Sequence, residues 1–300
     1  MRDLHSDDER KRLHAKKDIL AGRLKQLGSV LIAFSGGVDS TFLLAVAHQV
    51  LGRNAVACTA TSVIYPLREL EEAVAFTKEQ GIEHVLTSFD AMKLSCFSEN
   101  QPDRCYHCKK HVFKKVKDLA EQKGLKHVAH AVNLDDLTDY RPGLRAAEEM
   151  GAVSPLVDAQ LNKEDIRLLS KEMGLPTWNK PSMACLASRI PFGERITEKK
   201  LRMVQEGEAL LASLGFKQFR VRHHGAVARI EVEPEDLPRI VEEPTRARIV
   251  SRLREVGFTH VALDLEGYIS GSLNRTIKRE KTEYRRQKTE DGSQESGGRE

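Results

Sequence analysis

No stretch of the 300 residues approaches the roughly 18 consecutive apolar residues that a membrane helix needs. The polar start, residues 1–17, also lacks the apolar core of a secretory signal. Both absences predict a cytoplasmic protein with no membrane partner. An excess of one charge is missing too: 48 basic side chains are set against 44 acidic ones, for a net charge of +4. Such a balance allows an anionic ligand, but no nucleic acid is expected, because that partner calls for a strongly basic face. Cysteines are few and odd in number, at five. Without an export signal this argues against a disulfide framework and for thiols that serve a metal or a reaction. The remaining composition, 40% apolar and 31% charged residues, suits a globular chain with room for one large domain or two modest ones.

The most informative stretch is also marked by what it lacks. Ser35-Gly36-Gly37-Val38-Asp39-Ser40 has no lysine after its glycines, so it is not a Walker A loop, and no third spaced glycine, so it is not a dinucleotide fingerprint. It lies between an apolar run at 30–34 and a helix-like run at 41–47, which predicts a buried parallel strand, a tight turn and a helix start. A bare Gly-Gly can be a purely steric turn, and it is the six-residue string that points further. Gly36 and Gly37 let the backbone approach an anion, Ser35 and Ser40 add hydroxyl donors, and the helix directs unpaired N–H groups at the same point. Asp39 beside a bound phosphate would be repelled unless a divalent cation lay between them, which assigns it Mg²⁺.

Along the chain, strands are predicted at 55–61, 84–89 and 126–132, with helices at 69–80, 105–123 and 163–173. This alternation implies a parallel sheet with helices on both faces, and ligands in such sheets bind at the carboxyl ends of the strands. Cys58 falls inside a strand and reads as a structural thiol. Asp135, Asp136 and Asp139 follow the 126–132 strand as an acidic loop, which is either a solvated turn or a lining of the nucleotide site. The segment 178–191 has no clear period but holds a cysteine, an arginine and the only tryptophan, which suits an active-site segment. From residue 198 a smaller α+β pattern follows, with a helix to 214, strands at 219–223, 227–232 and 260–265, and a helix at 245–256. The expected domains are 1–192 and 193–275, with a disordered tail at 276–300.

The 35–40 string resembles the pyrophosphate loop of the PP-loop ATP pyrophosphatases, which implies an adenine nucleotide alpha hydrolase-like α/β fold and splitting of ATP into AMP and pyrophosphate. Asp103-Arg104-Cys105-Tyr106-His107-Cys108-Lys109, Asp139-Tyr140-Arg141-Pro142-Gly143, Cys185-Leu186-Ala187-Ser188-Arg189-Ile190-Pro191 and the 220–231 segment narrow the resemblance to the LarE sulfur transferases over roughly residues 15–272. That family adenylates the carboxylates of pyridinium-3,5-biscarboxylic acid mononucleotide and replaces an oxygen of each with sulfur, and the resemblance suggests a homo-oligomer.

Carried over residue by residue, Ser35, Gly36, Gly37, Asp39 and Ser40 match the loop, with Asn133 and Arg141 beside the nucleotide. Cys185 matches the sulfur-donating cysteine, and Arg220 and Arg222 match arginines that hold the substrate phosphate. Glu208 and Glu231 match acidic residues near the active site and count with the metal-side groups. Where relatives carry Asp-Gly-Thr-Asn this chain has His130-Ala131-Val132-Asn133, and the lost glycine narrows the backbone choices of that loop. Some members have only the cysteine matching Cys185 and sacrifice its sulfur. Others carry three cysteines that hold a [4Fe–4S] cluster able to bind an extra sulfide. Cys105, Cys108 and Cys185 are the three-cysteine set, which implies the cluster and a sulfide or sulfide donor. The helix start and the adjacent Lys109 and Lys110 lead to the further expectation that the thiols at 105 and 108 have lowered pKa values. The alternatives are a tRNA-thiolating relative and a non-catalytic zinc or nucleotide module.

Overall fold

The computed structural model describes residues 7–138, 142–182, 184–269 and 271–272. Two compact units divide it, one of residues up to 186 together with 195–198, the other of 187–194 together with residues from 199 onward. Arg141, Asp139 and the 276–300 tail lie outside the described residues. Among those that are described, no helix is long and apolar enough to cross a membrane.

The first unit opens with α1 (Asp7–Leu27), whose Leu13, Leu20, Leu24 and Leu27 form one buried stripe. Strand β1 (Val30–Ala33) is apolar throughout and buried, as a central parallel strand must be. Helix α2 (Val38–Leu51) is buried nearly all round from Val38 to Ala47, which marks it as a core helix. The series continues with β2 (Ala55–Thr61), α3 (Leu67–Glu79), β3 (His84–Ser88), the short α4 (Ser95–Ser98), α5 (Arg104–Gln122) and β4 (His127–Ala129). It closes with α6 (Pro142–Glu149), α7 (Pro155–Asp158) and α8 (Lys163–Glu172), the last begun by a capping box between Asn162 and Asp165.

All strand pairings here are parallel, in the order β3-β2-β1-β4, with Val30 opposite both Ala55 and His127. The chain therefore leaves β1 toward one side and returns beyond β3 to place β4 on the other. The β1/β4 boundary is a switch point, where loops at the strand carboxyl ends part to form a ligand crevice. The two loops there are 34–37 and 130–133.

The second unit holds α9 (Glu198–Ser213), the antiparallel pair β5 (Phe219–His224) and β6 (Val227–Val232), α10 (Leu237–Val241), α11 (Thr245–Val256) and β7 (His260–Leu263), which pairs parallel to β6. Phe216, Phe219, Val221, Ile230 and Leu253 share its separate apolar core.

Candidate active site

At the switch point, Gly37 is the N-cap of α2 and no side chain caps that helix end, so its first N–H groups face the loop unclaimed by a capping side chain. Ser35 and Ser40 hydroxyls meet at 3.0 Å, the Ser40 hydroxyl donates to the Gly37 carbonyl at 3.2 Å, and the Gly37 N–H reaches the Ser35 oxygen at 3.4 Å. Gly36 has φ 69°, and a Cβ there would lie 3.1 Å from the Ala73 Cβ on α3. Gly36→Ala should therefore carry about 1–2 kcal/mol of left-handed strain together with a shift of α3. The expected outcome is a lower melting temperature and a weaker nucleotide affinity.

Asn133 is buried, and its side chain connects the β4 loop to this turn. Its amide donates to Asp39 Oδ1 at 3.3 Å, while its oxygen accepts from the N–H groups of Asp135 and Asp136. The loop achieves this without the glycine of the family pattern, because no residue from 130 to 133 has a positive φ. His130 instead hydrogen-bonds Ser154 at 2.7 Å, and burial lowers its pKa to about 4, so it stays neutral. The acidic loop is in part structural: Asp135 accepts the backbone N–H of Lys163 at 2.9 Å, and Asp136 accepts that of Asn133 at 3.2 Å.

Two lysines that the sequence did not single out complete the loop. Lys163, at the start of α8, forms an ion pair with Asp39. Lys180 donates to the Gly36 carbonyl at 3.0 Å and pairs at 2.7 Å with both Glu69 and Glu72 on α3. The Glu72 carboxyl, which burial would raise, is held below its usual range by hydrogen bonds from Lys180 and Arg68.

The three cysteines share one neighbourhood in the same unit. Cys105 is exposed on the first turn of α5, Cys108 is buried one turn on, and Cys185 precedes Leu186, whose N–H bonds the Ile64 carbonyl at 2.8 Å. That bond sets Cys185 beside Tyr65, whose hydroxyl is pushed well above its ordinary range by burial and then by Cys108, Cys185 and Cys105. The buried Arg104 feels the same three thiols and donates to Cys105, although its own desolvation dominates.

The expectation of a lowered thiol pKa is overturned at Cys108. Burial, followed by the nearness of Cys185, pushes it up to about 12 against the weaker pull of Lys109. Lys110 does not help, because its ammonium is on Tyr106 and Glu149. Cys96, which the sequence reading passed over, also lies close enough to raise Cys108. Cys58 is a core thiol that burial pushes up to about 11.

Among the described residues no three His, Cys, Asp or Glu side chains are gathered to hold one metal ion. A preformed zinc chelate of these cysteines is therefore not present. A cluster makes a different demand, because each of three thiolates binds its own iron, and the three thiols lie near enough to one another that each acts on both Tyr65 and Arg104.

In the second unit the arginines and acidic residues form a buried lattice. Arg189, wholly buried, donates Nε and Nη2 to Glu208 at 2.8 and 2.9 Å. Arg222 grips Glu231 through Nε and Nη2 at 2.9 and 2.7 Å and donates Nη1 to the Ser188 carbonyl at 2.9 Å. Arg229 bridges Glu231 and Asp264 at 2.9 Å each. Arg220 lies over the Tyr268 ring at 4.9 Å, and burial pushes its pKa down to about 10. Glu208 and Glu231, expected among the metal-side groups, are partners of arginine here: Arg189 donates to both oxygens of Glu208, and Arg222 and Arg229 donate to those of Glu231. The guanidinium groups of Arg189, Arg220, Arg222 and Arg229 are thus gathered in one unit, and guanidinium is the side-chain group best suited to an oxyanion.

A PP-loop domain model matches residues 5–141. The chain is 37% identical over 266 residues to the pyridinium-3,5-bisthiocarboxylic acid mononucleotide synthase of Lactiplantibacillus plantarum, covering 88% of this chain and 96% of that one. It is 43% identical over 265 residues to an uncharacterised protein of Synechocystis, covering 88% and 99%. A GMP synthase of Lactobacillus delbrueckii is 27% identical over 205 residues, 61% of this chain and 39% of that one.

Proposed function

Because this chain belongs to the LarE family of pyridinium-3,5-bisthiocarboxylic acid mononucleotide synthases, and is thus an ATP-dependent enzyme of the PP-loop class, we propose that it converts the carboxylates of pyridinium-3,5-biscarboxylic acid mononucleotide to thiocarboxylates. The observation that carries the reading is the 35–40 loop, open at the N-terminus of α2, with Asp39 and Asn133 drawn together from the two loops of the switch point. Backbone N–H groups and the helix end would hold the triphosphate, and Asp39 would hold Mg²⁺. A substrate carboxylate oxygen attacks the α-phosphorus and pyrophosphate departs, leaving an acyl adenylate. A sulfur nucleophile then attacks the carbonyl carbon and AMP leaves. Catalysis of the first step is mostly positioning and charge neutralisation, which is what a rigid loop and a carboxylate-bound cation provide.

For the sulfur, the three-thiol neighbourhood of Cys105, Cys108 and Cys185 supports a [4Fe–4S] cluster, which when bound would supply sulfide to the adenylate. The burial of Arg220 and Arg222, two guanidinium groups at alternate positions of β5, supports their role in holding the substrate's phosphate. Homo-oligomeric assembly belongs to this reading as well.

The test is to incubate the protein, without oxygen, with Mg²⁺, ATP, sulfide and the pyridinium dicarboxylate mononucleotide. AMP and pyrophosphate should appear in equal amounts, and Asp39→Asn should reduce both to background with an unchanged circular dichroism spectrum. Release of ADP and phosphate would sink the assignment.

A further inference from the structure

The 35–40 loop lacks the lysine that follows the glycines in a Walker A loop, yet the structure brings a lysine to the loop from 124 residues away. The ammonium of Lys163 is paired with Asp39 Oδ2, while Asn133 holds Oδ1. Asp39 thus already carries a cation of the protein's own, on the carboxylate that the proposed reaction assigns to Mg²⁺. The two cannot share it unchanged. Mg²⁺ needs near-octahedral oxygen ligands at about 2.0–2.1 Å, and an ammonium on the same oxygen would repel it.

The backbone of Lys163 is fixed, because its N–H donates to Asp135 and the Asn162–Asp165 capping box sets the first turn of α8. Its four-carbon side chain keeps its rotational freedom. The pair is also open to solvent: the Lys163 side chain is 35% exposed and that of Asp39 19%. Lys180, the other lysine at the loop, is different. At 13% exposure it is held between Glu69, Glu72 and the Gly36 carbonyl, so its charge is neutralised where it stands.

We propose that Lys163 is a two-position cation. It rests on Asp39 while the loop is empty, and when the Mg²⁺ nucleotide arrives it passes to the phosphates that leave as pyrophosphate, doing from a distant helix what the Walker A lysine does from within its own loop. In the empty enzyme it keeps Asp39 from standing as a bare carboxylate at an anion site. In the reaction it stabilises charge that grows on the leaving group. The proposal rests on Mg²⁺-nucleotide binding at this loop, and not on which carboxylate is adenylated.

The experiment compares Lys163→Met and Lys163→Arg with the wild type in two assays. In the first, nucleotide-free protein is titrated with Mn²⁺, followed by electron paramagnetic resonance, and with Mg²⁺ by calorimetry. Lys163→Met should bind the cation about threefold tighter or more, because its competitor is gone. In the second, the kcat for pyrophosphate release should fall roughly tenfold or more in Lys163→Met, with partial recovery in Lys163→Arg. Cation affinity that is unchanged or weakened, or unaltered pyrophosphate release, would overturn the proposal and leave Lys163 a structural partner of Asp39. A wild type that binds Mg²⁺ and ATP but does not use the pyridinium substrate would refute the substrate reading alone, and the cation titration would still decide for or against Lys163.

Discussion

Cys185→Ala is expected to abolish thiocarboxylate formation while the first half-reaction, release of pyrophosphate from ATP, persists. Cys105→Ala and Cys108→Ala are expected to be as inactive as Cys185→Ala. The reason is the shared neighbourhood: all three thiols act on Tyr65 and on Arg104, and Cys108 is raised by both of the others. Three thiolates that serve one iron–sulfur group fail together, since removing any one leaves the group a ligand short. Iron and acid-labile sulfide in anaerobically purified protein should fall in all three variants. Cys96→Ala is the control. Cys96 also neighbours Cys108 but lies outside the three-cysteine set, so its variant should keep its iron and its activity. A sacrificed Cys185 gives a different pattern: only Cys185→Ala would be inactive, and mass spectrometry after turnover would find residue 185 lighter by the elements of H₂S. The expected result is an unchanged mass, and dehydroalanine at 185 would overturn the cluster.

The fold was legible because its central elements are unambiguous in composition. Val30-Leu31-Ile32-Ala33 is apolar on both faces, as an interior strand is, and the helix that follows is buried nearly all round from Val38 to Ala47. The strand at 55–61 and the helix at 245–256 were readable to the residue. Helix α6 was missed because Pro142-Gly143 reads as a turn, although proline at the first helical position starts a helix as well as it ends one. Helices α7 and α10, at four and five residues, are too short to show a period.

The candidate site was legible only where it is local. The 35–40 loop announces itself in six consecutive residues, but its partners come from far along the chain: Lys163 at 124 residues from Asp39, and Lys180 at 144 from Gly36. No spacing rule reaches that far. Local sequence also misjudged Cys108. A helix start with lysines nearby predicts a lowered pKa, but the packing that buries Cys108 and the diversion of Lys110 to Glu149 are tertiary facts. The arginines at 220 and 222 alternate on a strand as an exposed pair would, and are nevertheless 3% and 6% exposed. The carboxylates that permit this burial lie on α9 and β6.

The second unit should depend heavily on one of those carboxylates. Glu208 is 5% exposed and accepts two hydrogen bonds from Arg189, which is 0% exposed, and a third from the Val221 N–H at 3.2 Å. Glu208→Ala would leave a guanidinium buried without its carboxylate, and breaking a buried pair from one side costs about 3–5 kcal/mol. Hydrogen exchange at the β5 and β6 amides should quicken correspondingly, while the β1 and β2 amides in the other unit keep their protection. The double variant Arg189→Met/Glu208→Leu removes both charges, and a well-packed apolar pair can match or exceed a buried ion pair in stability, so it should recover most of the loss. If the double variant proved no more stable than Glu208→Ala, the cost would lie with the Val221 hydrogen bond or with packing. If neither variant changed the exchange, the Arg189–Glu208 pair would not be what holds the arginine lattice in place.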